Sequence, residues 1–327
     1  MACINRQGSP DEKLPNLELT MSTNELCHVT TTSFHNTLGS TKYPFESGRY
    51  WLFTSKLCPF AHRTELARKL TGLDRHIGLT IAGSVQTEKS WNLSEIYTGD
   101  GNSPCPVAQI DHLPGIYTLA SPDYTGQASI PVLFDTKTQT IVNNESAEII
   151  QMFDSVAVEI ADHHTLYPKS QCTDIDEIIR SLNDDLISPI YRAGFASDQA
   201  DYDVNFNKVF TALSKLDSHL AHTGPFIAGE TLTLADIHAY PHLSRFDAIY
   251  HSLYRLNKNF IYAYTNIAAY LSRLGAIPAI ADTLDLQASK DGYFLSWNQP
   301  TNANFVPEGP AVDPRSGVAV TGVRLAE

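Results

Sequence analysis

The chain has 327 residues, 43% of them hydrophobic, with 36 acidic against 23 basic side chains and a formal net charge of −13. That length supports one large core or two ordinary ones, and an acidic chain with no compensating Lys/Arg run is a poor partner for nucleic acid or an anionic membrane. Five cysteines without regular spacing are too few for a disulfide framework. With no apolar signal core at the start and no run of about 20 apolar residues, a soluble, cytoplasmic protein in a reducing setting is expected.

Residues 1–45 are polar, rich in Thr, Ser and Asn, and weakly periodic. They read as an extension, either disordered or laid over a domain surface. Residues 49–54 form a short apolar run with several aromatics, which reads as a buried strand. Ser55 and Lys56 break it, and Cys58-Pro59 leads into a helical segment over 59–71, proline being tolerated in a first turn. Residues 77–81 read as a second strand. Residues 83–128 form a long insertion that holds Trp91 and several tyrosines; insertions of that length are more often functional than idle. Residues 130–135, a polar turn at 136–139 and residues 140–142 make a hairpin. Asn143-Asn144-Glu145-Ser146 then precedes an apolar-periodic helix at 147–153, whose first N–H groups such residues satisfy. This β-α-β, β-β-α order is a thioredoxin-like half, with Cys58 at the C-terminal end of its first strand.

After about residue 165 the pattern turns helical, at 174–186, 201–221, 233–245, 259–274 and 280–289. Thr233-Leu-Ala-Asp236 is a capping box with Asp in place of Glu, and Leu232 is placed to staple against Ile237; it reads as a structural helix start. From Gly292 the chain is Pro/Asn-rich and aperiodic, a tail that wraps back over the body. The expected division is an extension at 1–45, a thioredoxin-like domain at 46–160, an all-helical domain at 165–291 and a tail at 292–327.

Pro59 starts a helix, so the sulfur of Cys58 sits where unpaired N–H groups converge and the helix dipole is positive. A thiol there is expected to ionise more readily than its reference value of about 8.5, with His62 and Arg63 adding positive or potentially positive charge. In a Cys-x-x-Cys motif the second cysteine resolves a mixed disulfide, but that position is Ala61. Resolution must come from an external thiol, which points to glutathione-dependent, one-cysteine chemistry. The motif alone also fits a buried structural cysteine at a strand–helix turn. A metal site at Cys58 and His62 lacks a second pair at ligand spacing, and no metal is expected.

Cys-Pro-x-Ala, the Ile-Pro-Val hairpin, Glu-Ser at a helix start and a helical second half together resemble the glutathione transferase superfamily; the cysteine narrows this to its omega-like branch. Cys58-Pro-Phe-Ala-His-Arg63, Ile141-Val-Asn-Asn-Glu-Ser146, Tyr191-Arg-Ala-Gly-Phe195 and Arg245-Phe-Asp-Ala-Ile-Tyr250 are similar to the xi class, the glutathionyl-hydroquinone reductases. So is the tail from Tyr293-Phe to Phe305-Val-Pro-Glu-Gly-Pro310. The resemblance covers roughly residues 45–313. It implies that Cys58 attacks the sulfur of a glutathionyl-hydroquinone thioether, and that a second glutathione resolves the resulting disulfide. It implies glutathione as co-substrate, an aromatic or quinone glutathione conjugate as the other partner, and a homodimer. It further implies a cis peptide before Pro131 that aims the Val132 backbone at the tripeptide, and Glu145 and Ser146 on the γ-glutamyl ammonium and carboxylate. Phe60 and Trp91 are expected beside the glutathione. Tyr191, Tyr250 and Tyr293 are expected to converge on a quinol oxygen; each taken singly also fits a half-buried core residue, as Trp91 fits core packing and Glu145-Ser146 simple helix capping.

The departures lie on the acceptor side: Phe60 where the family has tryptophan, Gly292-Tyr293-Phe294 where it has His-Tyr-Tyr, and Ser296-Trp297 where it has Ser-His. A specialised quinone or polyphenol acceptor is therefore expected. The competing readings are an omega-like thioltransferase or dehydroascorbate reductase sharing Cys58, and a non-catalytic glutathione-binding relative with an unreactive thiol. A conjugating transferase is disfavoured, because cysteine forms mixed disulfides where serine or tyrosine would stabilise glutathione thiolate.

Overall fold

The computed structural model describes residues 34–95, 97, 102–161, 165–300, 305–313 and 316–317. Strand β1 (Tyr50–Ser55) is central: it pairs in parallel with β2 (Gly78–Ala82) and antiparallel with β3 (Val132–Asp135). The latter pairs antiparallel with β4 (Thr140–Asn143), giving the order β2-β1-β3-β4. All of β1 but Trp51 is buried, as a central strand rich in aromatic and aliphatic residues requires. Just ahead of it, Arg49 grips the buried carboxylate of Asp135 through Nε and Nη2, at 2.9 and 2.6 Å.

Helix α1 (Pro59–Leu70) follows β1 directly, with Pro59 in its first turn and Arg68 and Lys69 in its last. The insertion contains a helix that its composition conceals, α2 (Leu113–Ala120). Pro114 and Gly115 occupy its first turn, where proline costs nothing, and burial of Leu113, Ile116 and Tyr117 holds it. Helix α3 (Ser146–Ala161) packs on α1 and runs eight residues beyond the expected end at 153. Of the expected extension, residues 34–45 are laid over the surface: Asn36 N–H bonds the carbonyl of Val142 at 2.9 Å, and Leu38 and Tyr43 are buried. Residues 1–33 lie outside the described residues.

The second half is helical. Helix α4 (Cys172–Ser181) passes through a π turn at Leu182–Ile187 into α5 (Ser188–Gly194). Helix α6 (Gln199–Thr223) is capped by Asp198, which accepts from Asp201 N–H at 2.8 Å. Helix α7 (Leu234–Arg245) is buried along its whole length and opens with the expected capping box. A second π turn, Phe246–Tyr250, leads to α8 (His251–Leu253). The segment expected to be helical from 259 becomes α only at α9 (Thr265–Gly275), after a 3₁₀ turn at Ile261–Ala263.

The helix expected at 280–289 is instead two. Helix α10 (Pro278–Ala281) ends, and Asp285 caps a fresh start by accepting from Ala288 N–H at 2.9 Å, opening α11 (Leu286–Leu295). A short acidic side chain that bonds its own backbone favours such a restart over continuation. Nor does helical order stop at Gly292; α11 carries Tyr293 and Phe294 inward before ending at Leu295. Beyond it the chain returns over the body, with Lys290 Nζ on the carbonyl of Glu308 at 2.9 Å. Gly317, at φ +69°, lies against the Ser244 carbonyl with no room for a side chain. No helix among the described residues is long and apolar enough to cross a membrane.

Candidate active site

Cys58 is the N-cap of α1: its backbone is extended (φ −84°, ψ 114°), and Ala61 N–H points at Sγ, 3.4 Å away. Sγ also stands 3.8 Å from the carbonyl of Ile130, which precedes a cis bond to Pro131. The easy ionisation expected from the helix terminus is not the net result here. Burial pushes the thiol up, outweighing the Ala61 and Phe60 N–H groups and the guanidiniums of Arg245 and Arg63, all of which pull it down.

His62 corrects a second expectation, because it supplies no charge. Burial, together with Arg245 and Lys56, holds its pKa well below the ordinary value. Arg245 Nη1 donates to its Nδ1 at 2.9 Å, so Nε2–H donates to Thr283 Oγ1 at 2.8 Å, which donates on to the Ile280 carbonyl at 2.7 Å. The positive groups near the sulfur are Arg63, whose guanidinium lies 4.7 Å over the Phe60 ring, and the fully buried Arg245. Lys56 is engaged in a buried ion pair with Glu65 at 2.6 Å.

Three phenols meet across from this turn. Tyr191 Oη lies 3.2 Å from Tyr293 Oη and 3.4 Å from Tyr250 Oη, and the last two are 3.4 Å apart. They come from α5, the second π turn and α11, three elements that no local pattern connects. A π turn adds a residue to its loop and so rotates the downstream residues around the helix axis; one such turn precedes Tyr191 and another ends at Tyr250. Tyr254 stacks on Tyr250 at 5.5 Å. Burial raises the Tyr250 and Tyr293 phenols, so both are protonated donors.

Phe60, expected beside glutathione, packs against Tyr191 at 6.0 Å and His242 at 5.0 Å, and so walls the tyrosine side of the turn. Val132 opens β3 immediately after the cis bond. Glu145 and Ser146 stand at the start of α3, with Glu145 N–H on Asn143 Oδ1 at 2.7 Å and Ser146 buried. Trp91 is buried in the insertion, where its carbonyl accepts from Leu113 N–H at 3.0 Å.

Two features escaped the sequence. Arg245 binds the Lys56 carbonyl at 2.9 Å, and Ser289 Oγ binds the same oxygen at 2.7 Å, so α7 and α11 both clamp the turn before Cys58. The available signal for the arginine was its place at the head of the Arg245-Phe-Asp-Ala-Ile-Tyr250 motif. Second, the loop after β2 is tied to the tail: Gln86 N–H bonds Ser296 Oγ at 2.8 Å, Trp297 N–H bonds the Gln86 carbonyl at 3.2 Å, and Asn298 bonds the Gln86 side chain at 3.0 Å. Here α11 approaches so closely that a Cβ on Gly292 would fall 2.6 Å from the Ser84 carbonyl and 2.7 Å from Leu57 Cβ. Glycine at position 292 is therefore what lets the helix lie this close to the turn.

Residues 57–156 match the family described as glutathione S-transferase, N-terminal domain, and residues 199–273 match its C-terminal domain. The chain is 36% identical over 271 residues to the glutathionyl-hydroquinone reductase PcpF of Sphingobium chlorophenolicum, covering 81% of this chain and 84% of that one. Its fold is similar to the xi glutathione transferase of Phanerochaete chrysosporium (TM-score 0.81, 31% identity, 86% of this chain and 97% of that). It is also similar to the glutathione-bound structure of YqjG from Escherichia coli (TM-score 0.80, 32% identity, 86% and 94%).

Proposed function

The chain belongs to the xi class of the glutathione transferases, and from that premise we propose that it is a glutathione-dependent reductase of glutathionyl-hydroquinone-type aromatic thioethers. The observation that carries the reading is a lone thiol at a helix N-terminus, with Ala61 in place of a resolving cysteine, facing three converging phenols. The Cys58 thiolate attacks the thioether sulfur. The aryl carbon–sulfur bond breaks, and its electron pair stays with the ring, which takes a proton and leaves as hydroquinone. Cys58 is left in a mixed disulfide with glutathione. A second glutathione thiolate attacks that disulfide, expels the Cys58 thiolate and departs as oxidised glutathione. One thioether and one glutathione thus give one hydroquinone and one glutathione disulfide.

In this reading the hydroxyls of Tyr191, Tyr250 and Tyr293, which bond one another here, turn to the quinol oxygen and stabilise the charge left on it. Val132 binds the tripeptide backbone, Glu145 and Ser146 bind the γ-glutamyl end, and Trp91 packs beside it. Phe60 forms the wall between thiol and phenols. A homodimer in the cytosol completes the proposal, and light scattering on the purified chain checks the assembly.

The test uses wild type and Cys58→Ser with glutathionyl-menadiol and excess glutathione, following menadiol and oxidised glutathione together. Equal release of both by wild type, and none by Cys58→Ser, is expected. If wild type ignores the thioether but reduces a small mixed disulfide, the omega-like thioltransferase reading replaces this one.

A further inference from the structure

Arg245 ends α7 in the interior with none of its surface exposed. A guanidinium taken out of water needs acceptors for its five N–H groups and a counter-charge. Arg245 finds three acceptors, all neutral: Nη1 donates to the Pro241 carbonyl and to His62 Nδ1, and Nη2 to the Lys56 carbonyl, each at 2.9 Å. Its Nε has no partner. Among the described residues no carboxylate stands within ion-pair distance of it; of the buried carboxylates nearby, Glu65 is held by Lys56 and Asp247 accepts from Ile261 N–H.

We propose that the missing counter-ion is the Cys58 sulfur in its thiolate form, which makes Arg245 the positioning residue of the nucleophile. The residue acts twice. Through the Lys56 carbonyl, two residues ahead of Cys58, it fixes the strand–helix turn; with its charge it balances the anion present before attack and again after resolution. The inference rests on Cys58 being the attacking thiol, and is indifferent to which acceptor it attacks.

The surroundings leave this task to few groups. From α1 come Arg63 and the neutral His62; from the turn comes Lys56, already paired. From α7 come His238 and His242, both held neutral by burial, and from α5, the π turn and α11 come the protonated phenols. Burial is the largest influence on both Cys58 and Tyr250, and Arg245 pulls down each of them. One cation thereby favours the thiolate and strengthens the proton donor opposite it.

Wild type, Arg245→Gln and Arg245→Lys are each treated with iodoacetamide across about pH 5 to 10, with Cys58 alkylation read by mass spectrometry and folding checked by circular dichroism. Arg245→Gln is expected to raise the alkylation midpoint by about one unit or more, slowing reaction about tenfold below it. Arg245→Lys keeps the charge but loses the planar fork, and is expected to stay close to wild type. A midpoint unchanged in Arg245→Gln, or raised as far in Arg245→Lys, overturns the proposal. Should Arg245→Gln not fold, Cys58→Asp and Cys58→Asn decide, since Asp and Asn cap helices about equally. A buried cation waiting for an anion makes the Asp form melt higher; equal or lower melting overturns it. Alkylation needs no acceptor, so an inactive enzyme on glutathionyl-menadiol leaves this result standing by itself.

Discussion

Tyr250 shows how much one atom contributes here. Its Oη completes a ring of three hydroxyls, in each pair of which either oxygen can be the donor. Tyr250→Phe removes a donor aimed at developing charge, and hydroquinone release is expected to fall about 10²-fold while Cys58 alkylation is unchanged. Because the three hydroxyls share partners, Tyr250→Phe and Tyr293→Phe together should cost less than the product of the single losses; a fully multiplicative double variant would argue for separate roles. Gly292 offers a complementary test. A methyl group there meets the Ser84 carbonyl and Leu57, so Gly292→Ala must push α11 away from the turn. Overpacking of this kind costs about 1–3 kcal/mol, read as a lower thermal midpoint, and carries Tyr293 out of the hydroxyl ring.

At the scale of elements, β1 and β3 are bolted together by a pair whose strength depends on pH. Burial raises the Asp135 carboxyl, but bonds from Arg49, Thr138 and the Lys137 N–H overcome that and hold it at about 2. Its folded value is below the unfolded one of about 3.9, so the stabilisation is complete above pH 4 and is lost as pH falls towards 2. The difference amounts to about 2.6 kcal/mol. Denaturant midpoints of wild type should drop through that window, whereas those of Asp135→Asn should start lower and stay flatter; parallel curves would remove Asp135 as the cause.

The elements also show what a sequence exposes. Strand β1, the Cys58-Pro59 start and the 132–143 hairpin were legible because apolar runs, a first-turn proline and a polar turn each leave a local mark. The capping box at Thr233 and Asp236 was legible for the same reason. The π turns were not: an extra residue in a helical loop changes no composition, yet it re-aims Tyr191 and Tyr250. Helix α2 was hidden by Pro114 and Gly115, and the break between α10 and α11 by an apolar periodicity that continues across it. His62 looked like a charge because pKa is set by surroundings, and its surroundings come from α7 and Thr283, far along the chain.

For the whole molecule, Lys56 ties the two halves together through both its carbonyl and its ammonium. Lys56 Nζ binds Glu65 in α1 and the Thr283 carbonyl beyond α10, while its own carbonyl receives Arg245 and Ser289. Lys56→Met leaves Glu65, with Oε1 already unpartnered, as an uncompensated buried carboxylate; breaking such a pair costs about 3–5 kcal/mol. Since the pair couples both halves, far-ultraviolet and near-ultraviolet circular dichroism should lose their signals together and at lower denaturant. Two separated transitions would show that the halves unfold independently.

The bonds between Gln86 and the tail also equip the molecule with its own reporter. Of three tryptophans, Trp91 is buried and Trp51 has its indole N–H on Thr80 at 2.8 Å. Trp297 is 59% exposed, at the rim of a 230 Å³ cavity bounded by Gln86, Tyr124 and Gln127. Iodide should therefore quench Trp297 far more than the other two, and any motion of the tail will change that quenching. Rapid-mixing fluorescence can test, with no dye attached, whether the bonds between Gln86 and the tail hold during turnover.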